Sequence, residues 1–155
     1  MIAKYNEFIL EKYSFNEIKS PSGVSYTFTN KDNIKFNVYF DTSGGDRYTR
    51  EYRIDSDKYG AFEEIKTNDV MGIIKTVTDI TISFINKYQP DEIVITHIPS
   101  TKEKVEHNKE EDDEFWETFT TKRATVNKRF LEKKIPFNYY YELQGNVSYI
   151  TKESY

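Results

Sequence analysis

Apolar and polar residues alternate through the first third of the chain, a pattern typical of strands with one buried face. Residues 24–29 and 34–40 alternate on either side of a polar loop, residues 30–33, and so predict a β-hairpin. Residues 48–54 predict a third strand in which Arg50 interrupts the apolar face. The apolar positions of these three runs are Val24, Tyr26, Phe28, Ile34, Phe36, Val38, Phe40, Tyr48, Tyr52 and Ile54.

Two neighbouring segments give a weaker pattern. Residues 4–20 begin with helical spacing and end with alternation, so helix and strand both stay open there. Residues 61–65 predict a short further strand. Gly44 and Gly45 lie between two predicted strands, and we interpret them as a turn because no phosphate-binding pattern surrounds them.

After the predicted strands, the spacing of apolar residues changes to that of a helix. Residues 69–88 repeat apolar side chains every three or four positions, and Pro90 ends the pattern. Residues 91–97 contain the unbroken apolar run Ile93-Val94-Ile95, which predicts a central strand buried on both faces. The helical stripe consists of Val70, Ile73, Ile74, Val77, Ile80, Phe84, Ile85 and Tyr88.

The last part of the chain predicts a loop, a helix and a hairpin. Residues 99–112 are polar and charged, so we expect an exposed, mobile acidic loop. Residues 112–134 predict a second helix, ended by Pro136. Residues 137–143 and 147–151 predict two strands joined by a turn. The second helical stripe consists of Phe115, Trp116, Phe119, Val126, Phe130 and Leu131.

Together these elements predict one α+β domain over residues 1–155, a usual size for a single core. The predicted order is β-β-β-(β)-α-β-α-β-β, with one mostly antiparallel sheet and two long helices packed on one face. The other sheet face then carries tyrosines and charged residues and is partly exposed.

Composition narrows the classes of protein. Aromatic residues make up 16% of the chain, enough to bury a core, which excludes a disordered protein. The absence of cysteine excludes a disulfide scaffold and cysteine-ligated metals. A net charge of −4 makes nucleic acid an unexpected partner. No long apolar segment or signal peptide is evident, so we expect a soluble intracellular protein or a component of a particle.

Charge is unevenly distributed near the second helix. Residues 103–117 hold eight acids and two bases, whereas residues 122–134 hold six bases and one acid. The helix dipole favours such a gradient, and a bipolar surface for binding a charged protein or another copy of the chain remains the alternative. Basic residues beside three tyrosines also allow nucleic-acid contact, although a solvated helix face explains them as well. The candidate partner-binding residues are Glu110, Asp112, Asp113, Lys122, Arg123, Lys128, Arg129 and Tyr140.

The sequence contains no recognisable catalytic or metal-binding motif. His97 and His107 lie near acids, yet their spacing matches neither a zinc motif, a calcium loop nor a two-histidine phosphoesterase. We therefore assign no catalytic residues, no cofactor and no metal site, with His97 as the one outside candidate ligand. Whether the chain is an enzyme stays open, and the sequence favours the view that it is not.

Three consecutive segments carry a family resemblance. A β-branched helix ends at residues 80–90, the strand Asp91-Glu92-Ile93-Val94-Ile95 follows, and Lys122-Arg123-Ala124-Thr125-Val126-Asn127-Lys128-Arg129 opens a basic helix. This arrangement resembles small proteins of large tailed bacteriophages that have no assigned activity. Lys122-Arg123 and Asn127 stand where that family has Ser-Arg and Tyr, and the loop here is longer and more acidic.

The resemblance implies a phage origin, and with it a location in the host cytoplasm or in the virion. Three functional hypotheses stay open. The first is a non-enzymatic accessory protein that acts through protein–protein contacts, as a virion component or assembly factor. The second is a host-directed inhibitor whose acidic residues 103–117 mimic nucleic-acid charge for a basic or nucleic-acid-binding partner. The third is a metal-assisted phosphodiesterase or nuclease that uses His97 with acids of residues 106–117.

Overall fold

A computed structural model describes residues 13–54, 70–97 and 122–153 of the chain. The two described helices are α1 (Val70–Tyr88) and α2 (Lys122–Lys134). The described strands are β1 (Asn16–Ser20), β2 (Gly23–Thr29), β3 (Lys35–Gly44), β4 (Arg47–Ile54), β5 (Glu92–Thr96), β6 (Tyr139–Gln144) and β7 (Val147–Lys152).

These strands form one sheet in the order β1-β2-β3-β4-β5-β7-β6. All neighbouring strands are antiparallel except β4 and β5, which are parallel. Helix α1 makes the crossover between those two, as a parallel connection requires. The predicted α+β class, the single mostly antiparallel sheet and the order of the elements are confirmed.

Register places the alternating residues of neighbouring strands on a common face. Tyr26 lies opposite Val38, and Phe40 lies opposite both Val24 and Arg50. This helix-covered face and the helices share one core. Its buried apolar side chains are Val24, Tyr26, Phe28, Phe36, Val38, Phe40, Ile73, Val77, Ile80, Phe84, Ile85, Ile93, Ile95, Leu131, Tyr139 and Ile150.

Strand β5 is central, as predicted, but it is not buried on both faces. Ile93 and Ile95 are buried against the helices, whereas Val94 is half-buried on the opposite face. Both described helices pack on the first face, so the second, which we call the open face, has no helical cover within the described residues. The prediction that the run Ile93-Val94-Ile95 is buried on both faces is therefore wrong, because β-branched residues also occur in central strands with one half-exposed face.

Helix α1 begins and ends within a residue of its predicted limits. It buries more of its circumference than the apolar stripe indicates, because Thr76, Thr78 and Thr81 have no exposed surface. Thr76 and Thr81 satisfy their hydroxyls by donating to the carbonyls of Gly72 and Val77, each at 2.8 Å. Such back-bonding lets polar residues lie on the buried side of a helix.

The ambiguous residues 4–20 contain strand β1 at their end, and β3 extends as far as Gly44 before the turn. Gly45 has φ 59, a left-handed conformation that glycine adopts without strain, as the turn interpretation requires. The neighbouring Asp46 carbonyl accepts a hydrogen bond of 2.7 Å from the Asp91 amide, which fixes this turn to the start of β5.

Several predictions fall on residues outside the described ranges: the strand at 61–65, the loop at 99–112 and the first part of the second helix, 112–121. Within the described part of that helix, Ala124, Asn127 and Leu131 are buried, whereas Val126 and Phe130 are half-buried. Neither described helix combines the length and the apolar character needed to cross a bilayer.

Candidate functional site

A chain of polar side chains joins β5, β7 and β6 on the helix-covered face, and its first two members, His97 and Ser148, are buried. His97 follows β5, Ser148 belongs to β7 and Tyr141 to β6. The Ser148 Oγ lies 2.7 Å from His97 Nε2 and 2.5 Å from the Tyr141 hydroxyl oxygen. Because a serine hydroxyl can donate one hydrogen bond and accept two, Ser148 can bond to both neighbours at once, so the three side chains form one connected network.

Backbone contacts hold His97 in place. Its amide donates to the Asn146 carbonyl at 2.9 Å, and the Asn146 Nδ2 donates in return to the His97 carbonyl. Asn146 lies in the turn between β6 and β7 and is itself buried. The turn allows this because Gly145 has φ 58, so a two-residue loop brings the Asn146 side chain back to β5.

Arg50 lies on the same face of the sheet as this network, two strands away from Ser148. It pairs with Ile95 on β5, which in turn pairs with Ser148 on β7, so all three side chains point into the helix-covered face. Arg50 is 3% exposed, and its Nη1 donates to the Thr81 Oγ1 on α1 at 3.0 Å. The residue that interrupts the apolar pattern of β4 is therefore an interior cation rather than a surface group.

Burial raises the pKa of the Tyr141 hydroxyl, and the charge of Glu132 on α2 raises it further. The hydrogen bond from Ser148 and the charge of Arg50 partly oppose this increase. Tyr141 thus stays protonated at neutral pH and acts as a hydrogen-bonding group. Ser148 has no exposed surface, so a substrate reaches its hydroxyl only if the surrounding packing changes.

The metal hypothesis receives no geometric support from the described residues. His97 is 4% exposed, and its Nε2 already bonds to Ser148. In residues 13–54, 70–97 and 122–153, no three histidine or acidic side chains converge as metal ligands do. The acids that the hypothesis requires, including Glu110, Asp112 and Asp113, lie outside the described residues.

The predicted basic residues lie on α2. Arg129 is exposed, Lys128 is half-buried, and the Lys128 Nζ lies 3.8 Å from the Glu132 carboxylate one turn later. Lys122 and Arg123 begin the helix, and their side chains lie outside the description. Lys134 reaches across to Asp79 of α1 at 2.9 Å, so one flank of α2 faces α1 and the Lys128–Glu132 flank faces away from it.

The three consecutive tyrosines of β6 do not form one platform. Tyr140 is 46% exposed on the open face, as the alternation predicts. Tyr139 is buried on the helix side, where its hydroxyl donates to the Pro90 carbonyl at 2.6 Å, and burial raises its pKa to about 12. Tyr140 therefore lies on the opposite face of the sheet from the described basic side chains Lys128 and Arg129 of α2, so the three tyrosines and these two cations do not share one face.

Sequence reasoning missed Phe137, which is 91% exposed. It lies in the short turn between α2 and β6, where the Tyr139 amide donates to the Pro136 carbonyl at 3.0 Å. The signal was available, since Pro136 ends the helix before the strand begins and a turn residue has no face to bury. A single exposed apolar side chain is common on protein surfaces, and this one lies beside the edge strand β6.

The open face carries aromatic and acidic side chains in neighbouring pairs. Tyr39 lies opposite Glu51, and Tyr149 lies between Val94 of β5 and Glu142 of β6. Tyr39, Tyr149 and Val94 are half-buried by their strand neighbours. Ile18, at the far edge on β1, is 55% exposed.

A separate ionic cluster lies where α1 ends beside β1. The Lys87 Nζ bonds to a Glu17 carboxylate oxygen at 2.5 Å, and the Tyr88 hydroxyl donates to the other oxygen. The bond from Lys87 lowers the pKa of Glu17, with a further contribution from Tyr88. Burial raises the pKa of Tyr88, and Lys19 lies 5.6 Å from its ring centre. This cluster ties the first edge strand to α1.

Comparisons of the chain with protein-family models, with curated proteins and with solved structures find no match.

Proposed function

We propose that the chain is a non-enzymatic accessory protein of a tailed bacteriophage and that it acts by binding other proteins, in the virion or during its assembly. The open face of the sheet carries this proposal. Both described helices cover the other face, while Tyr39, Tyr140, Tyr149 and Val94 remain partly accessible on this one. Tyrosine is enriched in wet protein interfaces because it combines a large apolar ring with a hydroxyl group.

The polar network of His97, Ser148 and Tyr141 supports a structural role for the helix-covered face. Its members bond to one another, and Ser148 has no exposed surface. A group that acts on a substrate needs access to it. The phage assignment itself is supported by the resemblance of the segment between Val70 and Arg129 to proteins of large tailed phages.

Mass spectrometry of purified particles of the encoding phage tests the proposal. We expect the chain in wild-type particles at a constant ratio to the major structural proteins. We also expect Tyr149→Ala to reduce that ratio about tenfold, since truncation of an interface anchor commonly costs more than 1 kcal/mol. Lys133→Ala, an exposed change on α2, is the matched control and should leave the ratio unchanged.

Absence of the chain from particles, together with a failure to cross-link to any phage or host protein during infection, would contradict the proposal. A Tyr149→Ala variant that folds and is incorporated like wild type would contradict the role of the open face.

A further inference from the structure

We propose that two copies of the chain pair through their β6 edges, about a two-fold axis perpendicular to the sheet, and thereby form one continuous antiparallel sheet. The inference deepens the proposed function, on which it rests for the idea that the chain works through protein contacts. It names the first of those contacts, the partner being a second copy and the site being the β6 edge with the adjacent flank of α2.

The backbone of β6 is oriented for such pairing. Gln144 and Val147 flank a two-residue turn, so they form a hydrogen-bonded pair, and bonded pairs then recur at every second residue of the antiparallel ladder. The Glu153 amide donates to the Asn138 carbonyl at 2.8 Å, which agrees with this phase. The amides and carbonyls of Tyr141 and Leu143 therefore point away from β7, toward the outer edge, where an extended chain can bond to them.

Two-fold symmetry allows any register centred on a residue of β6, and the register centred on Tyr141 also brings complementary side chains together. The two-fold axis keeps each side chain on its own face, so a residue pairs only with one of the same parity. Centring the pair on Tyr141 places Tyr140 opposite Glu142 of the second copy on the open face, twice by symmetry. The tyrosine hydroxyl then has a carboxylate within its reach. The same register brings the exposed Phe137 to Gly145 of the second copy, where no side chain competes for the space.

The flank of α2 is complementary to itself. Lys128 and Glu132 lie one turn apart on the flank away from α1, and their side chains are 45% and 47% exposed. A two-fold copy runs antiparallel, so Lys128 of each copy faces Glu132 of the other. The centre of the strand pair and the centre of the helix pair lie at the same height. Counted from the turn between α2 and β6, Tyr141 lies about 7 Å along β6. The same length along α2 corresponds to roughly 4 to 5 residues before Lys134, which is midway between Lys128 and Glu132.

The spacing of the helices also fits. Helix α2 packs over both β6 and β7, so its axis lies between them. With neighbouring strands about 4.8 Å apart, two copies of α2 would be about 10 Å apart, a usual distance for packed helices. At the other sheet edge, β1 is shorter and carries the charged Glu17 and Lys19, which disfavour strand addition.

Sedimentation velocity of the full chain, with variants of α2, tests the proposal. We expect wild type to dimerise at concentrations up to about 100 µM, a range that detects a weak interface. Lys128→Glu and Glu132→Lys each place like charges opposite one another twice per dimer, so each should weaken dimerisation at least about tenfold. Lys133→Glu, an exposed charge reversal outside this flank, should not.

Mixing the two variants provides the decisive control. An equimolar mixture of Lys128→Glu and Glu132→Lys places opposite charges across the interface in the heterodimer, so dimerisation should return to about the wild-type level. A change within each helix cannot produce this recovery, because each variant keeps its own intrahelical repulsion in the mixture.

A wild-type chain that sediments as a monomer throughout this range overturns the proposal. So do single variants that dimerise like wild type, or a mixture that shows no recovery. A monomer that is nevertheless incorporated into phage particles overturns this inference alone and leaves the proposed function standing. A dimer that is absent from particles and cross-links to no other protein overturns the proposed function alone.

Discussion

The helix-covered face of the sheet has two halves with different interiors. Over β1 to β3, which we call the aromatic half, every buried inward side chain is apolar or aromatic, and rings stack in sequence, with Phe28 against Phe36 at 5.1 Å and Phe40 against Phe84 at 4.0 Å. Over β4 to β7, the polar half, Arg50, His97 and Ser148 are buried among isoleucines. One sheet face thus combines an apolar core with a hydrogen-bonded one.

The difference teaches that the halves owe their stability to different interactions. Ring packing depends on buried area and is weakened by a cavity, whereas a polar interior is weakened when a buried group loses its hydrogen-bond partner. The stability lost through a substitution in the aromatic half should therefore increase with the side-chain volume removed. In the polar half, the stability lost should increase with the number of hydrogen bonds removed, even when the volume is unchanged.

Phe84→Ala should give the largest effect. Phe84 has no exposed surface, stacks on Phe40 and meets the Tyr48 ring edge-on at 5.0 Å. Its truncation leaves a ring-sized cavity and should lower the free energy of unfolding by about 3–5 kcal/mol in urea denaturation. Phe137→Ala removes the same atoms from an exposed site and should cost less than about 0.5 kcal/mol. Equal effects from the two variants would contradict this account of the aromatic half.

Ser148→Ala should give the next largest effect, although it removes a single oxygen atom. The change deletes the hydroxyl that bonds both His97 and Tyr141 in the buried polar half. We expect a loss of about 2–3 kcal/mol in the free energy of unfolding, measured in urea. Tyr141→Phe should cost less, because it leaves the bond between His97 and Ser148 intact. A loss below about 0.5 kcal/mol for Ser148→Ala would mean that the network contributes nothing.

Thr81→Val and Thr78→Val form a matched pair on α1, since both residues have no exposed surface. Thr81 accepts a hydrogen bond from the buried Arg50, so its loss should destabilise the protein by about 1.5–2 kcal/mol. Among the described residues, the Thr78 Oγ1 is buried without a hydrogen-bond partner, so valine there should be neutral or stabilising. Thermal unfolding of both variants compares them, and the opposite order would refute the role given to Arg50 and Thr81.

Glu17→Gln should give the smallest effect, at the rim of the aromatic half. The contact with Lys87 lowers the folded-state pKa of Glu17. The resulting stabilisation is therefore complete above the unfolded value of about 4.5 and is lost as the pH falls through the lowered folded value. Unfolding midpoints of wild type and variant should differ at pH 7 and converge toward pH 3. A difference that does not change with pH would contradict this assignment.

Much of the fold was accessible from local patterns. Alternation in β2 and β3 identified their buried faces, and the stripe of α1 identified its limits, because each follows from burial of one side of a regular element. Local patterns could not predict that β7 lies between β5 and β6, since a terminal hairpin can join a sheet through either strand. The half-exposure of Val94 also depends on where the helices pack, which its own segment does not encode.

The candidate sites were less accessible, because their members are distant in sequence. Arg50 and Thr81 are 31 residues apart, and His97 and Ser148 are 51 residues apart. A polar residue in an otherwise apolar alternation shows only that the pattern is interrupted. Its role as part of a buried polar network becomes visible only when its partner is known. The exposure of Tyr140 was predicted because it depends on alternation alone, and Phe137 was missed because a short turn obeys neither period.

Amide hydrogen exchange along β6 tests the edge contact most directly. Tyr140 and Glu142 belong to the pairs that bond to β7, so their amides should be protected at every protein concentration. The amides of Tyr141 and Leu143 point outward and should be protected at high concentration, then exchange faster on dilution as the two copies separate. If these two amides exchange at a rate independent of concentration, the β6 edge is not the contact surface and the account of this molecule is wrong at its centre.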